Sequence, residues 1–177
     1  MMQKEKIIGL VRHGETEWNT MRRMQGRENI PLNNAGIEQS YKLGQKIAKD
    51  GISWDVIVSS PLIRADETAR ILQNALGHIE IITMDCFVER EFGVASGLTR
   101  DEVELLYPER KIPGIEENED LRIRVQQGMN YLVNNLHQKN ILLVTHGEVI
   151  RMIYRINGIH HKSGLKPGNA SIDVIRF

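Results

Sequence analysis

The amino-acid sequence predicts an α/β fold in three layers, with helices on both faces of an open, mostly parallel sheet, resembling an α/β/α sandwich. Two features predict it. Short, uninterrupted apolar runs alternate along the chain with longer amphipathic stretches, the order expected of strands and their covering helices. The apolar runs read as strands buried on both faces, which is the habit of parallel sheets. The 177 residues suffice for one domain spanning the whole chain, and neither repeats, linkers nor low-complexity segments divide it.

Ile7 to Val11 is the first buried strand. Asn33 can cap a helix running to about Lys49, with Ile37, Tyr41, Gly44 and Ala48 on one face at helical spacing. Asp55 to Ser59 is a second, β-branched strand. Pro61 suits the first turn of a helix reaching about Leu76, with Gly77 just past its end. Ile79 to Met84 reads as a third strand, and Thr99 to Glu102 has the spacing of a capping box for a short helix that stops near Pro108. After a loop from Lys111 to Asn118, the stripe Leu121, Val125, Met129, Leu132, Val133 and Leu136 predicts a helix over 119–137. Ile141 to Thr145 is a fourth buried strand, followed by a helix to about Ile156, and Ser171 to Phe177 closes the chain as an edge strand.

Composition narrows the function classes. With 41% hydrophobic and 26% charged residues the chain matches ordinary globular domains. Lys+Arg and Asp+Glu are each 23, so the basic excess of a nucleic-acid binder is missing and any affinity for anions must be local. No apolar run approaches the roughly 20 residues of a membrane span, and the N-terminal run is too short for a signal sequence. The lone Cys86 allows no intrachain disulfide; it suits a reducing compartment and reads as a packing residue. A cytoplasmic protein with neither nucleic acid nor membrane as partner is the expectation.

In open α/β sheets ligands bind beyond the carboxyl ends of the strands. After the first strand stands Arg12-His13-Gly14-Glu15, after the second Ser59-Ser60-Pro61-Leu62-Ile63-Arg64, and after the fourth Thr145-His146-Gly147-Glu148. Arg12, His13, Arg64 and His146, gathered at one sheet end beside helix N-termini, make a site for a small dianion. Phosphate fits best, because the planar fork of arginine matches its oxygens. Gly14 and Gly147 would let backbone approach the ligand closely. Each element alone has a plainer reading as a turn or a solvated residue; the repeated His-Gly-Glu after two buried strands argues against it.

These residues resemble the signature of the histidine phosphatase superfamily, the phosphoglycerate mutase-like proteins. The resemblance is carried by LVRHGETEWN at 10–19, by the stretch from Gln25-Gly26 to Gln39, by SSPLIRADETA at 59–69, by Glu89 to Gly93, by VTHGEVIR at 144–151 and by Asn169-Ala170-Ser171. It covers essentially the whole chain. It implies a phosphoglycerate mutase-like fold and a short, phosphatase-type member acting on a small phosphate monoester, with no metal and no cofactor. Residue by residue, it implies His13 as nucleophile, Arg12, Arg64 and His146 as phosphoryl-binding groups, Asn19 as a further hydrogen-bond donor and Glu89 as proton donor. Imidazole attack, an electropositive cradle and an acid for the leaving alkoxide are what such chemistry needs.

The chain departs from the family at Ala95-Ser96-Gly97, where many relatives carry Trp-Glu-Gly, and at Pro113 to Asn118, where Gly-Gly-Glu-Ser is common. Both changes bear on the substrate and leave the phosphoryl-transfer residues in place. His160 and His161 read as solvated loop residues and His137 as a helix-end histidine; Trp54 reads as packing, and Met21 and Met24 as residues of the pocket rim. A mutase is the first rival, but the short span from Glu89 to His146 leaves little for a cover that would exclude water. A metalloenzyme is opposed by the two arginines, and a non-catalytic phospholigand-binding module by the presence of both His13 and Glu89. A homodimer is compatible with the sequence, which does not name the substrate.

Overall fold

A computed structural model describes residues 5–159 and 168–177; His160 and His161 lie outside the described residues. The elements run β1 (Ile7–Arg12), α1 (Glu17–Thr20), α2 (Asn34–Ile47), β2 (Val56–Ser59), α3 (Ile63–Ala75), β3 (Glu80–Thr83), α4 (Arg100–Leu106), α5 (Asn118–Asn134), β4 (Asn140–Thr145), α6 (Gly147–Ile156) and β5 (Ile172–Arg176). The strands form one sheet in the order β3-β2-β4-β1-β5. All neighbours are parallel except β5, which pairs antiparallel with β1 at the edge.

Alternate residues of the central strands feed two cores, one on each face, which makes the fold three layers. Ile8, Leu10, Val56, Val58, Ile141 and Leu143 pack with Leu121 and Val125 of α5 and with Val149 and Ile153 of α6. Val11, Ile57, Leu142 and Val144 pack with Leu43 and Ile47 of α2, with Ala69 and Leu72 of α3 and with Trp54. Cys86 packs against the first of these cores, in keeping with its reading as a packing residue.

Several boundaries and one helix face differ from expectation. Ile37, Tyr41 and Ala48 are exposed; of the expected face Gly44 is buried, and α2 buries Gly36, Ser40, Leu43 and Ile47 with it. The reason is close approach. A Cβ on Gly36 would lie 2.0 Å from the carbonyl oxygen of Glu15, and one on Gly14 would lie 2.5 Å from that of Gly36, so only a face of small residues lets α2 reach the loop after β1. Pro61 precedes the helix rather than opening it, because Leu62 is the N-cap of α3. The long helix ends at Asn134, leaving His137 outside it. There the buried Lys6 donates its Nζ to the carbonyls of Leu132 and Leu136 and so terminates α5. The four-residue α1, too short to show periodicity, was not anticipated; it is held by a capping box between Thr16 and Asn19. The Thr99–Glu102 capping box forms as expected at the start of α4.

The contact of Gly36 with the loop after β1 generates a prediction of definite sign. In a solvated helix Gly→Ala stabilises by about 1 kcal/mol. Gly36→Ala is expected instead to destabilise by roughly 1–3 kcal/mol, the range of overpacking, and to lower turnover further by displacing Gly14 and Glu15. Urea unfolding with initial rates checks this; a more stable, fully active variant would contradict it.

Candidate active site

The parallel register brings three chain positions side by side. Arg12 pairs with Thr145 and Ser59 with Val144, so His13, Ser60 and His146 each follow the last residue of β1, β2 and β4. The ladder continues past the strands, with the His13 N–H on the Thr145 carbonyl (3.1 Å) and the Ser60 N–H on the Val144 carbonyl (3.0 Å). The ring centroids of His13 and His146 lie 5.2 Å apart, and both side chains are buried.

The His13 ring is oriented by its own turn. Its Nδ1 stands 2.7 Å from the Gly14 carbonyl. A carbonyl only accepts, so Nδ1 carries the proton and Nε2 keeps its lone pair. The turn is itself fixed: the Gly14 N–H donates to Thr68 Oγ1 (3.0 Å), while Asn169 Nδ2 lies 3.2 Å from the carbonyls of His13 and Gly14. His146 Nε2 meets Ser60 Oγ at 2.7 Å, and its buried Nδ1 makes no hydrogen bond among the described residues.

Burial, then the Arg64 and Arg12 charges, hold the pKa of His13 well below the ordinary imidazole value, against the Gly14 hydrogen bond. Burial, Arg64, His13 and Arg12 act on His146 in the same direction. Both rings are therefore neutral at neutral pH. Arg64 is pushed down to about 10, chiefly by burial, with Glu89 opposing and Arg12 assisting, and remains a cation. Its Nη1 and Nη2 donate to the carbonyls of Glu28 (2.7 Å) and Gly26 (2.8 Å), which leaves the buried Nε without a hydrogen bond among the described residues.

A cavity of about 560 Å³ opens over this group, and Arg12, His13, Asn19, Arg64 and Glu89 line it. Met21, Met24 and Phe92 form an apolar part of its wall. Asn19 Oδ1 is occupied by Thr16 and Asn169, which leaves its Nδ2 as the remaining donor. The Glu89 carboxylate sits among cations, since its charge supports those of Arg12, Arg64 and Arg151. It accepts from the Arg90 N–H (3.0 Å) and faces the Glu148 N–H in the first turn of α6 (3.5 Å). His146 and Gly147 do not line the cavity; they are buried beside His13.

The contacts of Ser60 and Thr68 and the Arg151–Glu148 ion pair emerge only from the structure. Ser60 had a usable signal, since it follows β2 as His13 follows β1. Thr68 had none, because its partner Gly14 is distant in the chain. Among the described residues no group of three or more His, Cys, Asp or Glu side chains is placed to hold a metal ion, and no helix is long and apolar enough to cross a membrane.

The buried neutral histidines make stability depend on pH. Above the unfolded imidazole pKa of about 6.5 both states are neutral and the two rings contribute nothing. Below it the unfolded chain binds protons that the native rings refuse, so stability falls on acidification by up to roughly 1.4 kcal/mol per pH unit for each ring. Urea midpoints at pH 7 and pH 5 should show this loss, reduced in His13→Gln. Equal midpoints would contradict it.

Comparison with known proteins accords with the geometry. The family model of the histidine phosphatase superfamily (branch 1) matches residues 8–177. The protein named uncharacterized phosphatase PhoE of Bacillus subtilis (strain 168) is 41% identical over 146 residues, 82% of this chain and 74% of that one. A metal-independent phosphoserine phosphatase of Arabidopsis thaliana is 31% identical over 182 residues, 96% of this chain and 76% of that one. The crystal structure of a phosphoglycerate mutase from Bacillus anthracis str. Sterne shares the fold with a TM-score of 0.84 at 22% identity, covering 99% of this chain and 89% of the other. This chain therefore belongs to branch 1 of the histidine phosphatase superfamily.

Proposed function

We propose that the protein hydrolyses a small phosphate monoester through a phosphohistidine on His13, without a metal. The observation that carries the reading is the orientation of the His13 ring: Nδ1 is tied to the Gly14 carbonyl and the Nε2 lone pair is left for attack. In the first step Nε2 attacks phosphorus and the bond to the ester oxygen breaks. Arg12, Arg64 and the Asn19 Nδ2 bind the transferring oxygens, and His146, buried against His13, backs this cradle from behind. The departing alkoxide takes a proton from Glu89, which holds it in the substrate complex, where the bound phosphoryl dianion offsets the arginine charge. In the second step water loses its proton to Glu89 as it attacks, the P–N bond breaks, and inorganic phosphate leaves.

Electrostatics support both the substrate class and the absence of a metal. A phosphoryl dianion is attracted by the same arginines that repel a divalent cation, and inside a protein such interactions exceed those in water. The cavity has room for an ester group beside the phosphate, and its wall at Met21 and Arg22 is exposed, so water has access to the phosphoenzyme. That access favours hydrolysis over mutase-type transfer, which requires that the phosphoenzyme be kept from water. A cytoplasmic location and freedom from nucleic-acid and membrane partners belong to the same reading, supported by the balanced charge.

Initial rates with 4-nitrophenyl phosphate test the proposal. Turnover should be unchanged by excess chelator, and His13→Ala should lower it by roughly 10⁴-fold to 10⁶-fold, as deletion of a covalent nucleophile does. Strict dependence on a divalent ion, or near-normal turnover by His13→Ala, would overturn it.

A further inference from the structure

Glu89 lies in no helix or strand, yet a general acid must be held to within a fraction of an ångström of the oxygen it protonates. Its segment is held by side chains. Phe87, buried, anchors the segment to the sheet through its carbonyl, which accepts from Thr145 Oγ1 (2.8 Å). On the other side stands Arg124 of α5. Its Nη1 donates to the carbonyls of Cys86 (2.8 Å) and Val88 (2.7 Å), and its Nη2 reaches that of Glu89 (3.2 Å). The same guanidinium grips Glu116 in a fork, Nε to Oε1 at 2.6 Å and Nη2 to Oε2 at 2.9 Å. The fork is mostly buried, with side-chain exposures of 17% and 9%.

Glu116 extends the clamp. Its carboxylate accepts from the Glu91 N–H (3.3 Å) and from Arg27 Nη2 (3.3 Å), and Arg27 Nε adds a contact to the Glu89 carbonyl (3.4 Å). Its backbone N–H donates to the Glu91 carbonyl (2.9 Å), and its carbonyl accepts from Arg90 Nε (2.9 Å). Burial opposes the Glu116 charge, but Arg124, the Glu91 N–H and Arg27 outweigh it and hold the carboxyl below its ordinary pKa.

We propose that the Arg124–Glu116 pair is a positioning unit that sets the placement of Glu89 for proton transfer. The inference rests on the reading of Glu89 as the acid. Neither residue of the pair lines the cavity, so both act through the backbone of residues 86–91. Lysine cannot replace Arg124, because a single ammonium cannot span three carbonyls and a carboxylate at once.

A purely structural pair would, when broken, slow all substrates alike. A positioning unit for an acid matters only where the leaving group needs a proton. Rapid-quench formation of the phosphoenzyme is therefore compared for ethyl phosphate and 4-nitrophenyl phosphate in Glu89→Gln, Arg124→Gln and the double variant. Glu89→Gln should slow the ethyl ester far more than the nitrophenyl ester. Arg124→Gln should show the same asymmetry, roughly 10-fold to 10²-fold on the ethyl ester as expected for a misplaced catalytic group, and the double variant should be no slower than Glu89→Gln alone. Equal slowing of both esters by Arg124→Gln, or full additivity in the double variant, would overturn the positioning role while leaving the acid role intact. Equal slowing by Glu89→Gln would instead remove the acid reading, and the inference with it. Should Arg124→Gln not fold, Glu116→Gln, which keeps the shape of the fork, carries the same comparison with the same sign.

Discussion

The parallel register of β2, β4 and β1 is the constraint on which the site depends. Each strand delivers its next residue to the same sheet edge, and the neighbouring order β2-β4-β1 sets Ser60, His146 and His13 in a row. A one-residue slip would exchange the faces of a strand and turn its core residues away from their helix. The aliphatic cores on both faces thus fix the catalytic geometry indirectly, since Leu142 and Leu143 cannot trade places without moving His146. Close approach completes the arrangement: Gly14 and Gly36 admit α2 to the loop after β1.

Charge is organised around two rings that stay neutral. Two buried imidazoles beside Arg12 and Arg64 would be unfavourable as cations, and they resolve this by remaining unprotonated. For a nucleophile that is an advantage, because the lone pair on Nε2 is available at neutral pH. Glu89 offsets part of the arginine charge without cancelling it, leaving a cradle suited to an incoming dianion. Arg64 has a structural duty as well, since its fork satisfies the Gly26 and Glu28 carbonyls and ties the loop after α1 to α3.

The strands β1, β2 and β4 were legible because buried parallel strands are written as continuous apolar runs, and the helices α3 and α4 because Gly77 and the Thr99–Glu102 box punctuate them. The buried face of α2 was legible only at Gly44, because hydrophobic spacing points to Ile37 and Tyr41 whereas close packing selects Gly36 and Ser40. The end of α5 depends on Lys6, more than a hundred residues away in sequence. At the site, position at or just past the carboxyl end of a strand was enough to single out Arg12, His13 and His146. Asn19 and Glu89 carry no such local signal and entered through the family resemblance. The Arg124–Glu116 clamp has no local signal, because its partners come together only in the tertiary structure.

The central claim is that Nε2 of His13 is the atom that takes the phosphoryl group. Alkaline quenching of the enzyme during turnover, followed by peptide mapping and phosphorus NMR of the isolated phosphopeptide, tests it most directly. The account predicts an acid-labile, alkali-stable phosphoryl group on Nε2 of His13 that disappears as inorganic phosphate is released. A phosphoryl group on Nδ1, on His146 or on Ser60, or release of phosphate in a single turnover with no phosphoenzyme formed, would contradict it.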